Sequence, residues 1–463
     1  MVIMNTLIIC AASIISLQPE FETVYWDTVT KDGRFDGGRL LMEMSETTNF
    51  VEQGIAGVTT IIDNGPTDNR IDIVFVGDGY TVSDLDDYED HVQNALDGFF
   101  GIEPLESYLP LFNVHRVDVL SNESGVDNDP QGTYRDTAMD MTFWCNNIER
   151  LLCVNVSSAW SYANNAPDVD SILAVANSSK YGGAGYSSSE IGTFSGDNAN
   201  SVDVAIHEFG HSMGNLADEY FYTNDTYTGS EPGPLNVSIY DYDEMLASGT
   251  KWANWLGEND SAWDGLCSTY EGAMYHEFGI YRPSNNSMMR ALARPFNQIS
   301  AESFIIEFYK IVEPLDAHAS LGPKYIGDDI YITPIEMTHA YDIEWTVNGK
   351  QVNLSNSFTV ASLGLPVGTH TVAVTVVDPT PWVRNETARN TYMTQSVSWP
   401  VVIDEPFCPE DINGDGTVNV TDLLSVIGAW GSCSGCSEDL NSDGSVNVTD
   451  LLQVIENWGS CSL

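Results

Sequence analysis

Positive charge is what this sequence lacks most. Only 17 Lys and Arg face 67 Asp and Glu across 463 residues, a net charge of −50. Phosphate backbones and anionic lipid surfaces are held by clustered Lys and Arg, so neither nucleic acid nor an anionic membrane is expected as a partner. Long apolar runs are scarce as well. Residues 7–15 form an apolar stretch too short to span a bilayer, which fits the core of a signal peptide over 1–17. No later segment reads as membrane-spanning, so export without membrane insertion is expected, with the product secreted or attached at the cell surface. Histidine numbers 8 and cysteine 8. Cys10 falls in the leader, Cys145 and Cys153 are near neighbours, Cys267 stands alone, and Cys408, Cys433, Cys436 and Cys461 lie in the tail. Export favours their oxidation, and an odd number beyond the leader leaves one without an obvious mate.

What is present divides into several domains, because the chain is too long for a single core. Residues 18–66 mix β-like runs with Gly and Asp turns and read as a small N-terminal β region. From 67 to 313, buried strands such as "IDIVFVGDGYT" (71–81), "FNVHRVDVL" (112–120) and "SILAVAN" (171–177) alternate with helical patterns at 84–100 and 202–213. That alternation predicts an α/β (α+β) domain. The later helix takes Asn200 or Ser201 as its N-cap and ends at Gly214, where a positive φ is expected. From 314 to 403 short strands follow one another with no helix pattern, and Asn348-Gly349 marks a hairpin, which predicts an all-β sandwich of immunoglobulin-like size. Residues 404–407 are a linker, and 408–463 hold an internal duplication.

The stretch "HEFGHSMGNLADEY" (207–220) carries the chemistry. Four residues apart on a helix, His207 and His211 project from one face and can reach one ion. Glu208 adjoins the first ligand without binding, placed to take a proton from water that zinc has made more acidic. Past Gly214 the chain can turn back beneath the metal with a third ligand. The slot where many zinc peptidases place a histidine is Ala217, which cannot bind metal. Asp218 follows directly, with Glu219 as the alternative, since adjacent side chains of an extended segment point opposite ways.

This arrangement resembles the metzincin class of zinc peptidases, and the longer string resembles the igalysin, or IgA-peptidase, family. "FNVHRVDVLSNESGVD", "SILAVANSSKYGGAGY", "KWANWL" and "YRPSNNSMMR" extend the likeness over about 67–312. The resemblance implies a metzincin-like fold and a zinc endopeptidase that acts on protein or peptide substrates. It implies one catalytic Zn2+ on His207, His211 and Asp218, with Glu208 as general base. It also implies a methionine turn at Met288 or Met289. "YGGAGY" (181–186) would be an edge strand that pairs with an extended substrate, through Gly182, Gly183, Ala184 and Gly185, with an ordinary glycine-rich turn as the rival reading. An oxyanion stabiliser is also needed. Tyr220, Tyr275 and Tyr281 are candidates, and Tyr281 is the one taken forward.

In the tail, "DINGDGTVNVTD" (411–422) and "DLNSDGSVNVTD" (439–450) follow the calcium-loop template. The expected ligands are Asp411, Asn413, Asp415, Thr417, Asn419 and Asp422, then Asp439, Asn441, Asp443, Ser445, Asn447 and Asp450. A helix follows each loop and none precedes it. Half an EF-hand, duplicated, resembles a dockerin, which implies a small α-helical domain with two structural Ca2+ and a cohesin-like or cell-surface partner. Cysteines bracket each repeat, so Cys408/Cys433 and Cys436/Cys461 could clasp the units. The whole reads as a secreted zinc endopeptidase with a β-sandwich spacer and a calcium-binding tether. The competing readings are a surface adhesion or assembly protein with a degenerate peptidase domain, and a zinc hydrolase of non-peptide amides.

Overall fold

The computed structural model describes residues 21–29, 35–43, 53–128, 132–404 and 408–461. The signal peptide read over 1–17 and positions 405–407 of the linker lie outside the described residues. The chain divides into two compact units. The first takes residues up to 317 together with 333–343 and 375–395, and the second takes 318–332, 344–374 and 396–463.

The first unit is built on an eight-stranded mixed sheet. Its strands are β1 (Phe21–Val29), β2 (Phe35–Glu43), β3 (Ile55–Ile62), β4 (Ile71–Asp78), β5 (Phe112–Val119), β6 (Ser171–Ala176), β7 (Gly183–Tyr186) and β8 (Ile191–Ser195). They lie in the order β2-β1-β7-β8-β6-β4-β5-β3. Pairings β8–β6, β6–β4 and β4–β5 are parallel, while β7 and the N-terminal strands add antiparallel edges. The central strands read as continuous apolar runs because both faces are covered. Ile73, Phe75, Leu173 and Val175 face a layer containing α1 (Leu85–Phe99), α3 (Ser201–Ser212) and α4 (Gln298–Ile311). Val74, Val76, Ile172 and Ala174 face α2 (Val156–Ala163).

Three expectations are revised. The N-terminal β region is not separate: β1 and β2 extend one side of the main sheet, and β3 closes the other against β5. Strand β7 is not an edge, because β1 pairs with it antiparallel, Val24 opposite Tyr186 and Tyr25 opposite Gly185. The stretch 314–403 does contain a helix, α5 (Glu386–Tyr392), started by the Asn385 side chain accepting from the Ala388 N–H. Residues 333–343 and 375–395, placed with the β-sandwich by their sequence, cluster with the first unit. The fully buried carboxylate of Asp378 explains why. It accepts from the Tyr108 and Tyr309 hydroxyls at 2.9 and 2.8 Å and from the Thr380 N–H at 2.8 Å, and lies 2.8 Å from His339 Nε2. A buried charge needs such partners, and those partners tie the segment down.

Within 315–403, Ser357–Thr359 pairs antiparallel with Asp329–Pro334. A second sheet runs Lys350–Val352, Asp342–Val347, Gly368–Val377, Thr394–Ile403. Trp345 stacks on Trp399 at 6.0 Å and meets Phe358 edge-on. Asn348 and Gly349 both have positive φ, as the expected hairpin turn requires.

The duplicated tail folds by exchange between its halves. Thr417–Val418 of the first repeat pairs with Gly459–Ser460 of the second, and Gly431–Ser432 with Ser445–Val446. Helices α6 (Val420–Gly428) and α7 (Val448–Glu456) enclose Val418, Val426, Val446 and Val454. This reciprocity corrects the expected disulfides. The bonds are Cys408–Cys461 and Cys433–Cys436, because the cross-repeat strands bring the two ends of the tail together. Cys145 pairs with Cys153, and Cys267 is free and buried. Among the described residues no helix is long and apolar enough to cross a membrane.

Candidate metal centre

Helix α3 delivers His207 and His211 side by side, with Asn200 as N-cap. Their Nε2 atoms lie 3.1 Å apart. Asp218 Oδ1 stands 3.2 Å from one and 3.3 Å from the other. All three residues are buried. The opposite ring nitrogens are already committed: His207 Nδ1 lies 3.0 Å from the Met288 carbonyl and His211 Nδ1 2.8 Å from that of Leu216. A carbonyl only accepts, so Nδ1 carries the proton in each ring and Nε2 presents a lone pair to the common point. Three lone pairs converging in a buried pocket repel one another unless a cation sits between them. Among the described residues this is the one group of His, Cys, Asp and Glu whose ligand atoms come together this closely.

The turn that brings Asp218 back differs in detail from expectation. Gly214 does not carry the positive φ; Asn215 does, at 49°. Gly214 is needed for space instead. A Cβ there would sit 2.8 Å from the Gly210 carbonyl and 2.9 Å from the Phe304 ring. Ala217 is held by Asn236, whose side-chain amide accepts from its N–H at 2.9 Å and donates to its carbonyl at 2.7 Å. With that backbone fixed, Asp218 faces the imidazoles and Glu219 faces away. The Glu219 carboxylate accepts from Ser287 Oγ at 2.7 Å, Asn236 Nδ2 at 3.0 Å and Asn297 Nδ2 at 2.8 Å. Its N–H donates to the Met289 carbonyl at 2.8 Å. Burial pushes its carboxyl up despite those bonds. Glu219 therefore fastens the ligand loop to the turn at 287–289. Met288 orients His207 through its carbonyl, and Met289 lies against Gly210, where a Cβ would meet its sulfur at 2.6 Å.

Glu208 is fully buried against β7 and β8. A Cβ on Gly185 would sit 2.6 Å from Glu208 Oε2, and one on Gly192 3.8 Å from Glu208 Cβ. A Cβ on Gly183 would meet Val204 of the same helix at 2.6 Å, and one on Gly182 would meet Phe143 at 2.6 Å. The space over the glycines of 182–185 is thus taken by the chain's own side chains, from Phe143, Val204 and Glu208. Ala184 is buried within the sheet. Of the tyrosines, Tyr275 donates to Asp218 Oδ2 at 2.5 Å, with a positive φ of 74°. Tyr281 pairs with Ser238 and Glu271, and its neighbouring charges are Glu271, Asp241 and Glu244, none of them at the ligand cluster. Sequence reasoning missed Asn236, Asn297 and Tyr25, whose ring stacks on His211 at 4.3 Å. Nothing local marks them, since each reaches the site from a distant part of the chain.

In the tail, both loops close on their own carboxylates. Asp411 accepts from the Asp415 and Gly416 N–H groups, and Asp439 from those of Asp443 and Gly444. Asp415 and Asp443 accept from the N–H and hydroxyl of Thr417 and Ser445. At loop position 12, Asp422 and Asp450 are fully buried and complete capping boxes with Asn419 and Asn447. Gly416 and Gly444, at position 6, have φ of 87° and 88°, which glycine accommodates best. Asn413 and Asn441 also bond within their loops.

Comparison with known families agrees with this geometry in two places. Residues 59–266 match the family described as IgA Peptidase M64, and residues 409–457 match the dockerin type I domain. No curated protein matches the chain at a significant level. The family description points to a peptidase, and a dockerin to an extracellular or surface-attached setting. The chain thus contains a segment that matches the IgA Peptidase M64 family, with the buried His207–His211–Asp218 cluster inside it, followed by a C-terminal segment that matches the dockerin type I domain.

Proposed function

We propose that this chain is a secreted zinc-dependent endopeptidase with a metzincin-like catalytic unit, an immunoglobulin-like spacer and a calcium-binding tether. The observation that carries the reading is the convergence of two Nε2 lone pairs and one carboxylate oxygen, with both Nδ1 atoms engaged by backbone carbonyls. Two imidazoles and one carboxylate form a donor set suited to catalytic zinc, with a position left for water or substrate. When bound, zinc there supplies Lewis acidity toward a carbonyl oxygen and toward water. His207, His211 and Asp218 hold it, and Tyr275 fixes the second oxygen of Asp218 so that the first stays aimed at the imidazoles. Glu208, one residue after the first ligand, is the general base: its Oε2, seated over Gly185, takes the proton from the attacking water and returns it to the leaving amine.

The tail supports attachment. In each repeat four apolar side chains are about half exposed: Val420, Leu424, Ile427 and Trp430, then Val448, Leu452, Ile455 and Trp458. Two matching apolar faces beside two calcium-type loops suit docking on a cohesin-like partner, with one Ca2+ in each loop. Glu208→Ala tests the catalytic reading. It should abolish casein hydrolysis while bound zinc, measured by metal analysis, remains at one per chain; hydrolysis equal to wild type sinks the mechanism.

A further inference from the structure

Strand β7, which lies against Glu208, has no free edge. Its outer side is taken by β1, and the cluster of His207, Glu208, His211 and Asp218 is buried. An endopeptidase admits its substrate as an extended strand, and strand addition needs an unpaired edge. Resting on the peptidase reading above, we propose that the paired strands β1 (21–29) and β2 (35–43) are an internal stand-in for the substrate: β1 fills the strand position beside β7 and closes the metal-ligating cleft until displaced.

The contacts are specific. The Tyr25 ring stacks on His211 with 4.3 Å between centroids and 13° between planes. Tyr25 and Arg39 help wall a cavity of about 290 Å³ that also touches Asp218, Tyr275 and Met274. Glu22, almost fully buried, accepts from the Ser188 N–H at 2.7 Å and from Ser189 Oγ at 2.6 Å. The Ser187 N–H donates to the Thr23 carbonyl at 3.4 Å, continuing the antiparallel register. A ring stacked on the His211 imidazole and a strand on the neighbouring edge together cover the cluster and occupy the place of the peptide.

The strand pair is also built to leave as a unit. β1 and β2 pair with each other at nine positions, whereas β1 pairs with β7 at two. Phe21 and Leu41 are 53% and 64% exposed, so the pair gains little from burial there. Displacement would break the two rungs to β7, the Tyr25–His211 stack and the Glu22 bonds, and would uncover Val24, which is buried in the core with Trp26, Leu40 and Met42 against it, so the open state is a minor one.

The test uses the full chain loaded with zinc. Glu22→Ala with Tyr25→Ala weakens the seat. Thr23→Cys with Ser187→Cys, at directly opposed positions, locks it by a disulfide, which antiparallel geometry permits. Two readouts are taken, turnover of a quenched fluorescent peptide and the rate at which a chelator strips zinc. Loosening should raise both by about tenfold or more, as expected when a minor open state becomes populated. The lock should suppress both until a mild reductant opens it, with wild type under the same reductant as control. Turnover and stripping that ignore both variants overturn the proposal. Stripping that follows the strand pair while no arm cleaves any peptide supports the closure and refutes the peptidase reading instead.

Discussion

Replacing Glu219 probes how the loop that carries Asp218 is held. Its carboxylate is fully buried and receives three side-chain donors, from Ser287, Asn236 and Asn297. Glu219→Ala removes the acceptor for all three. Each buried donor left unmade costs about 1–3 kcal/mol. Asn236 keeps its bond to the Ala217 carbonyl, and Asn297 keeps one to Ser284 Oγ at 3.2 Å, which softens the loss. A net cost of about 3–5 kcal/mol follows, typical of removing one partner from a buried charged network. Glu219→Gln retains the shape and one oxygen but turns a donor toward Asn297, so it should cost about 1–2 kcal/mol. The effect should extend to the metal, because the same loop carries Asp218 and the same turn carries the Met288 carbonyl that orients His207. Urea unfolding of the first unit, followed by fluorescence, and zinc retention against a competing chelator should both fall in the order wild type, Gln, Ala. An alanine variant that matches wild type in both would refute the assigned role of Glu219.

Four further outcomes are expected. Gly185→Ala places a methyl 2.6 Å from Glu208 Oε2, the mobile end of a side chain; folding and zinc content should persist while peptide turnover drops by about 100-fold, the usual scale for a misplaced catalytic group. Glu190 is pushed up to about 7 by burial, then by the charges of Glu22, Glu307 and Asp170. Because this acid's folded pKa exceeds its unfolded value, the folded state binds the extra proton, and stability should fall as pH rises from about 4.5 through about 7. Glu190→Gln should flatten that slope in thermal unfolding scans, and an unchanged slope would remove Glu190 as its source. In the tail, Cys408→Ser opens a bridge spanning 53 residues of sequence, which should weaken the domain by about 4 kcal/mol. Circular dichroism should show the tail losing helix when a chelator is added, and no change would contradict calcium binding there.

The predicted helix at 202–213 and the buried strands at 112–120 and 171–177 appear within a residue or two as α3, β5 and β6, and the stretch 71–81 as β4, which ends at Asp78 where the Gly-rich turn begins. Their signals are local: apolar period, cap residues and continuous burial within one segment. The alternation of Asp218 and Glu219 was legible for the same reason, since neighbours in an extended chain face opposite ways. The glycines of 182–185 were misread because their sequence shows only a missing side chain. Whether that space admits a substrate or the chain's own helix depends on what lies above it, and Val204, Phe143 and Glu208 lie there.

By itself, then, the sequence determined the helical spacing of His207 and His211, the duplicated loops and the central strands, because each is written in residues close together along the chain. Only tertiary structure decided the rest. It set Tyr25 on His211 and Tyr275 on Asp218, bound Glu219 to Ser287, Asn236 and Asn297, and joined Cys408 to Cys461. The physical reason is that such contacts gain their energy from packing between distant segments, and no periodicity or spacing along the chain records which segments will meet.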